Sequence, residues 1–266
     1  MGPKLLPCGL ALAPADAANC VLDVARTDAF QCGIRLAIEE VRRAVAPQCV
    51  EVVYAGTGPY APLVIPLLAE FRPDEVRCTF IDVHPENLHS VERLLSRLGL
   101  EDYVRALWLG DAATYRHPSH LPLHIVVVET MQAALAKEPQ VAITRNLVPQ
   151  LHPLGALVPE RIVVELAFAD PRALREGLVV GRAAELTRHS IVAPHSLLMP
   201  PRPPRVVPVY LTGVQTYGPH SIPQGASGLT SPVVVAELMN VAAGERVRFD
   251  YEVGANPRLV ANVVRC

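Results

Sequence analysis

A few short segments of this chain carry residue types whose order and spacing could hold a nucleoside. Gly56-Thr57-Gly58 follows an apolar, β-branched run. There a strand must end in a turn tight enough for backbone to touch a ligand, and glycine allows that approach. Asp82 follows roughly 25 residues later, at the end of a second such run, where an acidic side chain can accept both ribose hydroxyls. Asp111 and Ala112 follow a third run. Each feature alone also reads as a plain turn, a helix cap or a solvated loop residue; the signal is their sequence in order. The turn continues as Gly-Thr-Gly-Pro-Tyr, with no third glycine and no basic residue. It therefore lacks the cradle a dinucleotide pyrophosphate needs, which favours S-adenosylmethionine.

The elements that must position these residues alternate between strand and helix. Residues 27–46 place Ile34, Ala37, Ile38 and Val41 on one side and Glu39, Glu40, Arg42 and Arg43 away from it, the spacing of an amphipathic helix that Pro47 stops. Strands are expected at 50–55, 77–83, 104–109, 124–129 and 161–168. Helices are expected at 63–71, 85–98 (closed by Gly99) and 131–148, with a turn at 155–159. Such alternation implies an α/β fold, a parallel Rossmann-type sheet with helices on both faces. From Pro171 onward Pro and Gly recur, and short β-rich runs stand at 206–211, 233–238, 246–253 and 259–264. This half reads as a smaller antiparallel, barrel-like domain, with Pro200, Pro201, Pro203 and Pro204 as an extended connector. The expected division is a helical N-terminal cover at 1–46, a nucleoside-binding domain at 47–160 and a β-rich substrate domain at 161–266.

Composition narrows the function. Half of the 266 residues are apolar, and 24 Lys plus Arg stand against 26 Asp plus Glu without a dense basic run. A nucleic-acid backbone or an anionic membrane therefore finds no electrostatic footprint. Cys8, Cys20, Cys32, Cys49, Cys78 and Cys266 form no CxxC pair and no zinc spacing, so they read as free thiols. Pro3, Pro7 and Pro14 interrupt the apolar start, and no run reaches the roughly 18 apolar residues of a membrane span. The expectation is a cytoplasmic protein with a small-molecule substrate, for which a homodimer is a compatible assembly.

Between residues 30 and 168 the chain resembles the protein arginine methyltransferases, a branch of the class I S-adenosylmethionine-dependent enzymes. The resemblance rests on Val-Val-Tyr-Ala-Gly-Thr-Gly-Pro, Phe-Ile-Asp-Val-His-Pro-Glu-Asn, Leu-Gly-Asp-Ala and Val-Val-Glu-Thr-Met. It implies that Gly56, Thr57, Gly58, Asp82, Asp111 and Ala112 bind S-adenosylmethionine, with Asp111 at the adenine amino group. It also implies that Glu129 and Glu138, nine residues apart, match the family's double-glutamate loop, whose carboxylates suit the fork of a guanidinium. Gly155-Ala156-Leu157-Val158-Pro159 is similar to the segment that leads into that family's β-barrel. Two features depart from the pattern. The family's Thr-His-Trp segment is missing from the C-terminal half, and the single tryptophan is Trp108 in the third strand. Phe30 stands where the family has an arginine that clamps the cofactor carboxylate, leaving Arg26 or Arg35 to substitute.

The resulting expectation is methyl transfer to a small-molecule amine or related nucleophile, with Glu129 holding or deprotonating it. One alternative keeps the ligand but breaks a different bond, using its aminocarboxypropyl arm in transfer or in closure to azetidine-2-carboxylate and releasing methylthioadenosine. Another is a non-catalytic partner protein that retains the fold. Tyr217, His220 and Asn146 are candidate polar groups of the pocket. His117, His120 and His124 flank prolines and read as loop or surface residues rather than metal ligands. Ser190, His195 and Asp170 lack a GxSxG turn that would make a triad of them.

Overall fold

The chain begins with a small antiparallel hairpin, β1 (Lys4–Leu6) and β2 (Gly9–Ala11), then a short helix α1 (Pro14–Asn19) and the 22-residue helix α2 (Val24–Val45). This computed structural model describes residues 2–264. Cys266, expected as a free thiol, lies outside them, while Cys8, Cys20, Cys32, Cys49 and Cys78 are free. Helix α2 buries the stripe Phe30, Ile34, Ala37, Ile38 and Val41. Its first turn is capped by the Asp23 carboxylate, which accepts the Arg26 N–H at 3.1 Å.

Five strands then build a parallel sheet in the order β5-β4-β3-β6-β7. They are β3 (Val50–Ala55), β4 (Val76–Asp82), β5 (Val104–Leu109), β6 (Leu123–Val128) and β7 (Leu151–Val158), with α3 (Ile65–Leu68), α4 (Pro85–Leu98) and α5 (Gln140–Leu147) between them. Every residue of β3 and β6 is buried, which is why both read as unbroken apolar runs. Successive strands move outward from β3 to β5, and the chain then returns to the other side of β3 with β6. That reversal opens a crevice beyond the carboxyl ends of the strands, where ligands of such sheets bind.

The segment 131–148 differs from the expected helix. Only α5 is helical; residues before it form an open loop with a 3-10 turn at Ala133–Leu135 and positive φ at Ala134, Leu135 and Lys137. Tertiary bonds override the local helix preference here. The Gln140 amide accepts the Thr130 N–H (3.0 Å) and donates to Val128 O (3.1 Å), pinning both ends of the loop, and Thr212 Oγ1 accepts the Ala134 N–H at 2.8 Å. Residues 155–158 are likewise strand rather than turn, and only Pro159 lies beyond it. Ala156, Leu157 and Val158 pair with Ile125, Val126 and Val127 of β6, and this buried register outweighs the Gly155 and Pro159 signals that bracket it. The expected helix at 63–71 shrinks to the single turn α3.

After Pro159 the chain becomes antiparallel, with β8 (Arg161–Ala169), β9 (Leu178–Thr187), β10 (His195–Leu198), β11 (Val207–Tyr217), β12 (His220–Ile222), β13 (Val233–Val234), β14 (Arg246–Glu252) and β15 (Arg258–Val264). One sheet runs β12-β11-β8-β9, with β13 also on β11, and the other runs β10-β14-β15. The run at 233–238 holds only the two-residue β13 before a 3-10 turn at Ala236–Leu238. Helix α2 packs on β7, β11 and β12 and so joins the two halves. Gly33 permits that approach, since a Cβ there would lie 2.6 Å from Thr216 Oγ1. Among the described residues no helix is long and apolar enough to cross a membrane.

Candidate active site

A cavity of about 600 Å³ opens at the carboxyl ends of β3, β4, β5 and β6. The expected nucleoside-binding and catalytic residues line it: Gly56, Thr57 and Gly58 after β3, Asp82 ending β4, Asp111 and Ala112 after β5, and Glu129 and Glu138 in the loop beyond β6. The outer wall comes from the start of the chain and from the β-rich half. Leu6 and Leu10 of the N-terminal hairpin and Leu12 just after it line one side, and Gly228, Leu229 and Val233 of the β-rich half another.

At one end the groups suit a nucleoside. Gly56 and Gly58 hold φ of +76° and +58°, a backbone region glycine enters without strain. Asp82, 6% exposed, ties the turn to its own strand. Its Oδ2 accepts the Gly58 N–H at 3.0 Å, and its Oδ1 accepts the His84 N–H at 2.9 Å and Asn87 Nδ2 at 3.1 Å. The Thr57 hydroxyl lies 3.3 Å from Asp82 Oδ2 and 3.0 Å from Gly58 O. One hydroxyl carries one proton, so it satisfies only one of the two at a time. Three of the carboxylate's roughly four acceptor positions are therefore firmly used, and the fourth can pass to a ligand hydroxyl when Thr57 turns to Gly58 O. His84 Nε2 and Asn87 Oδ1, in the same lining, are buried and have no partner in the protein. Orphaned buried polar atoms cost too much to be left unpaired without reason, and a polar ligand is what they are suited to meet. Asp111 accepts the Ala113 N–H on Oδ1 (2.9 Å) and the Cys8 thiol on Oδ2 (3.3 Å).

The other end is ionic. Arg26, in the first turn of α2, pairs with Glu129, and both side chains are more than nine-tenths buried. Arg26 also donates from Nη1 to Cys20 O at 2.9 Å, while its Nε is buried without a partner. Burial works against the arginine's charge, but the Glu129 carboxylate more than offsets it and keeps Arg26 protonated. Burial pushes the Glu129 carboxyl up while Arg26 pulls it down. Glu138 has no cation of its own. Burial, reinforced by the Glu129 charge, pushes its carboxyl up to about 7. Asp23 lines the same end and accepts the Ser227 hydroxyl at 2.6 Å, joining the start of α2 to the β-rich half. Three carboxylates thus face one guanidinium, an imbalance that a cationic ligand would correct.

The arginine question raised by the sequence has a geometric answer. Arg26 lies in the cavity beside Glu129, whereas Arg35 pairs with Glu70 on the surface and Phe30 is fully buried in the core. The other polar candidates lie elsewhere. Tyr217 donates to Glu40, Asn146 donates to Ala112 O and Tyr115 O, and neither they nor His220 line the cavity. His124 is not a surface residue: it stands in β6 with no exposure, its Nδ1 accepting the Glu51 N–H at 3.1 Å. Among the described residues no three His, Cys, Asp or Glu side chains gather as a metal site.

Sequence reasoning missed His84, Asn87, Asp23, Gln132, Cys8 and the hydrophobic wall from residues 6–12 and 228–233. The first two could have been found from their positions immediately after Asp82. The remainder arrive through contacts across the fold, and local pattern carries no sign of those.

No protein-family model matches the chain, and no curated protein matches it. Solved structures do. The Trypanosoma brucei PRMT1 enzyme–prozyme heterotetrameric complex with AdoHcy aligns over 92% of this chain and 92% of its own, with a TM-score of 0.62 and 11% identity. Arabidopsis thaliana protein arginine methyltransferase 10, in an open conformation, aligns over 88% of this chain and 86% of its own, with a TM-score of 0.61 and 10% identity. The shared feature is the fold: a Rossmann-type α/β domain followed by a β-rich one, along nearly the whole chain.

Proposed function

We propose that this protein is an S-adenosylmethionine-dependent methyltransferase whose acceptor is a small-molecule amine. The observation that carries this reading is the convergence of the glycine turn, both aspartates and both glutamates on one cavity. When bound, S-adenosylmethionine supplies an electrophilic methyl group on a sulfonium. The chain's own residues bind, orient and exclude water. Asp82 accepts a ribose hydroxyl in the position that Thr57 vacates, and Asp111 accepts from the base. Arg26, held by Glu129 and with its Nε unpaired, presents a cation to the ligand's carboxylate. The second oxygen of Glu129 and the Glu138 carboxylate then hold the amine. Glu138, poised at about 7, can take a proton from it at neutral pH. The cavity's size and its Leu229 and Val233 wall suit a compact acceptor.

The AdoHcy in the T. brucei complex supports the ligand class, and the missing Thr-His-Trp segment supports an acceptor other than protein arginine. The test is a mass-spectrometric inventory of nucleoside products after incubation with S-adenosylmethionine, with and without a panel of small amines. Amine-dependent S-adenosylhomocysteine is the expected product. Methylthioadenosine would move the chemistry to the aminocarboxypropyl arm. The absence of both, together with no thermal stabilisation by either sulfur nucleoside, would refute the reading.

A further inference from the structure

The N-terminal hairpin closes one side of the cavity, and its placement is tightly specified. Leu10 donates its N–H to Lys137 O at 2.8 Å. Gly9 sits at φ +145° with so little room that a Cβ would fall 2.9 Å from Lys137 O and Pro139 N. This docking delivers Cys8, at the hairpin tip, to the far side of Asp111, where Sγ lies 3.3 Å from Oδ2. Cys8 is buried but does not line the cavity, whereas Asp111 does. The thiol therefore acts on whatever occupies the cavity only through the carboxylate.

We propose that Cys8 is a positioning residue for the nucleobase: its S–H, given to Asp111 Oδ2, holds that carboxylate as an acceptor aimed at an exocyclic amino group. The site thereby selects a 6-amino over a 6-oxo purine. This inference rests on the nucleoside reading of the cavity and adds a residue and a selectivity to it. With Oδ1 engaged by the Ala113 N–H and Oδ2 by Cys8, the carboxylate is fixed from both sides. Its remaining lone pairs can only accept. A 6-amino group offers a donor there, and a 6-oxo group offers a second acceptor, which is repelled. That a polar ligand belongs in this lining is indicated independently by His84 Nε2 and Asn87 Oδ1, buried and unpartnered beside Asp82. Burial, followed by the Asp111 charge, pushes the thiol up to about 12, so Cys8 remains a neutral donor over the working pH range.

Calorimetry on the full chain with S-adenosylhomocysteine and S-inosylhomocysteine tests this. The wild type is expected to prefer the adenosine ligand. Cys8→Ala should weaken the adenosine ligand about 10-fold or more, the order of one hydrogen bond to a charged group, while changing the inosine ligand less than about twofold. Cys8→Ser, which keeps a donor, should recover most of the preference. An unchanged ratio in Cys8→Ala overturns the proposal. A wild type that binds neither ligand removes the nucleoside reading itself, a separately visible failure. Should Cys8→Ala not fold, peptide-resolved alkylation of Cys8 by iodoacetamide in Asp111→Asn decides. Loss of the neighbouring charge should speed the reaction about 10-fold, and an unchanged rate overturns the Cys8–Asp111 link.

Discussion

Replacing Asp82 by Asn keeps the shape and tests the centre of the nucleoside end. The carboxylate accepts the Gly58 N–H from one side and the His84 N–H and Asn87 Nδ2 from the other. An amide has one oxygen and one NH2, so whichever way it turns, one of these backbone N–H groups faces a donor and is orphaned. A buried unsatisfied donor costs about 1–3 kcal/mol, and exchanging a charged acceptor for a neutral one weakens the bonds that remain by roughly another 1 kcal/mol. The sum is about 2–4 kcal/mol of stability, or a fall in melting temperature of roughly 5–15 °C for a chain of this size. Affinity for S-adenosylhomocysteine should fall at least about tenfold, since the Gly58 turn loses its anchor and the ribose its acceptor. Thr57→Val, removing only the shared hydroxyl, should cost about 1 kcal/mol or less in stability. Denaturant unfolding and calorimetry read both quantities. An Asp82→Asn protein with wild-type stability and wild-type affinity would refute the argument.

Three further outcomes are expected. Glu129→Gln should lower turnover about 100-fold, as for loss of one well-placed charged group, in an assay that follows S-adenosylhomocysteine and methylthioadenosine together; a wild-type rate would leave Glu129 a structural residue. Arg26→Met strands the buried Glu129 charge and should cost roughly 3–5 kcal/mol in urea unfolding, whereas Arg26→Met with Glu129→Met should recover much of it. If the double variant is no more stable than the single, the pair is not coupled. For Glu138 the folded carboxyl is raised from 4.5 to about 7, so its stability contribution is complete below the ordinary carboxylate value and is lost as pH rises through 7. A cationic acceptor needs the charged form, so its affinity should climb with pH up to about 7 and level off above. Glu138→Gln should abolish that slope, and a slope that survives in the variant assigns it to another group.

What the sequence made legible is what short-range physics controls. β3 stands at the expected residues because a buried parallel strand needs a continuous apolar run, β5 does so as a partly exposed edge strand, and α4 ends at Gly99 because its left-handed φ of +66° favours glycine. The residues at the strand ends could be read for the same reason, their spacing following from strand-plus-helix lengths. The loop carrying Glu138 was illegible as a loop because its shape is set by Gln140, Thr212 and Pro257, the last accepting the Lys137 N–H at 2.8 Å. β9, with bulges in its pairing to β8, and β10, only four residues long, lack the clean alternation that marks a strand. Arg26 was visible as a candidate but not separable from Arg35, since only the fold decides which helical face meets Glu129.

The latch between Asp23 and Ser227 joins residues 204 positions apart, and Gly228, Leu229 and Val233 supply a wall that nothing earlier in the chain replaces. During synthesis, therefore, the parallel sheet can form while the pocket it will serve is still open on one side. A nascent chain stopped before Ser227 leaves the cap of α2 without its partner and the ionic end of the cavity in contact with water. Ligand capture then becomes a property of the finished polypeptide. An occupied pocket rewards closure of a loop that spans those 204 positions, a step that chain entropy opposes, and so acts as a late check that both walls have arrived.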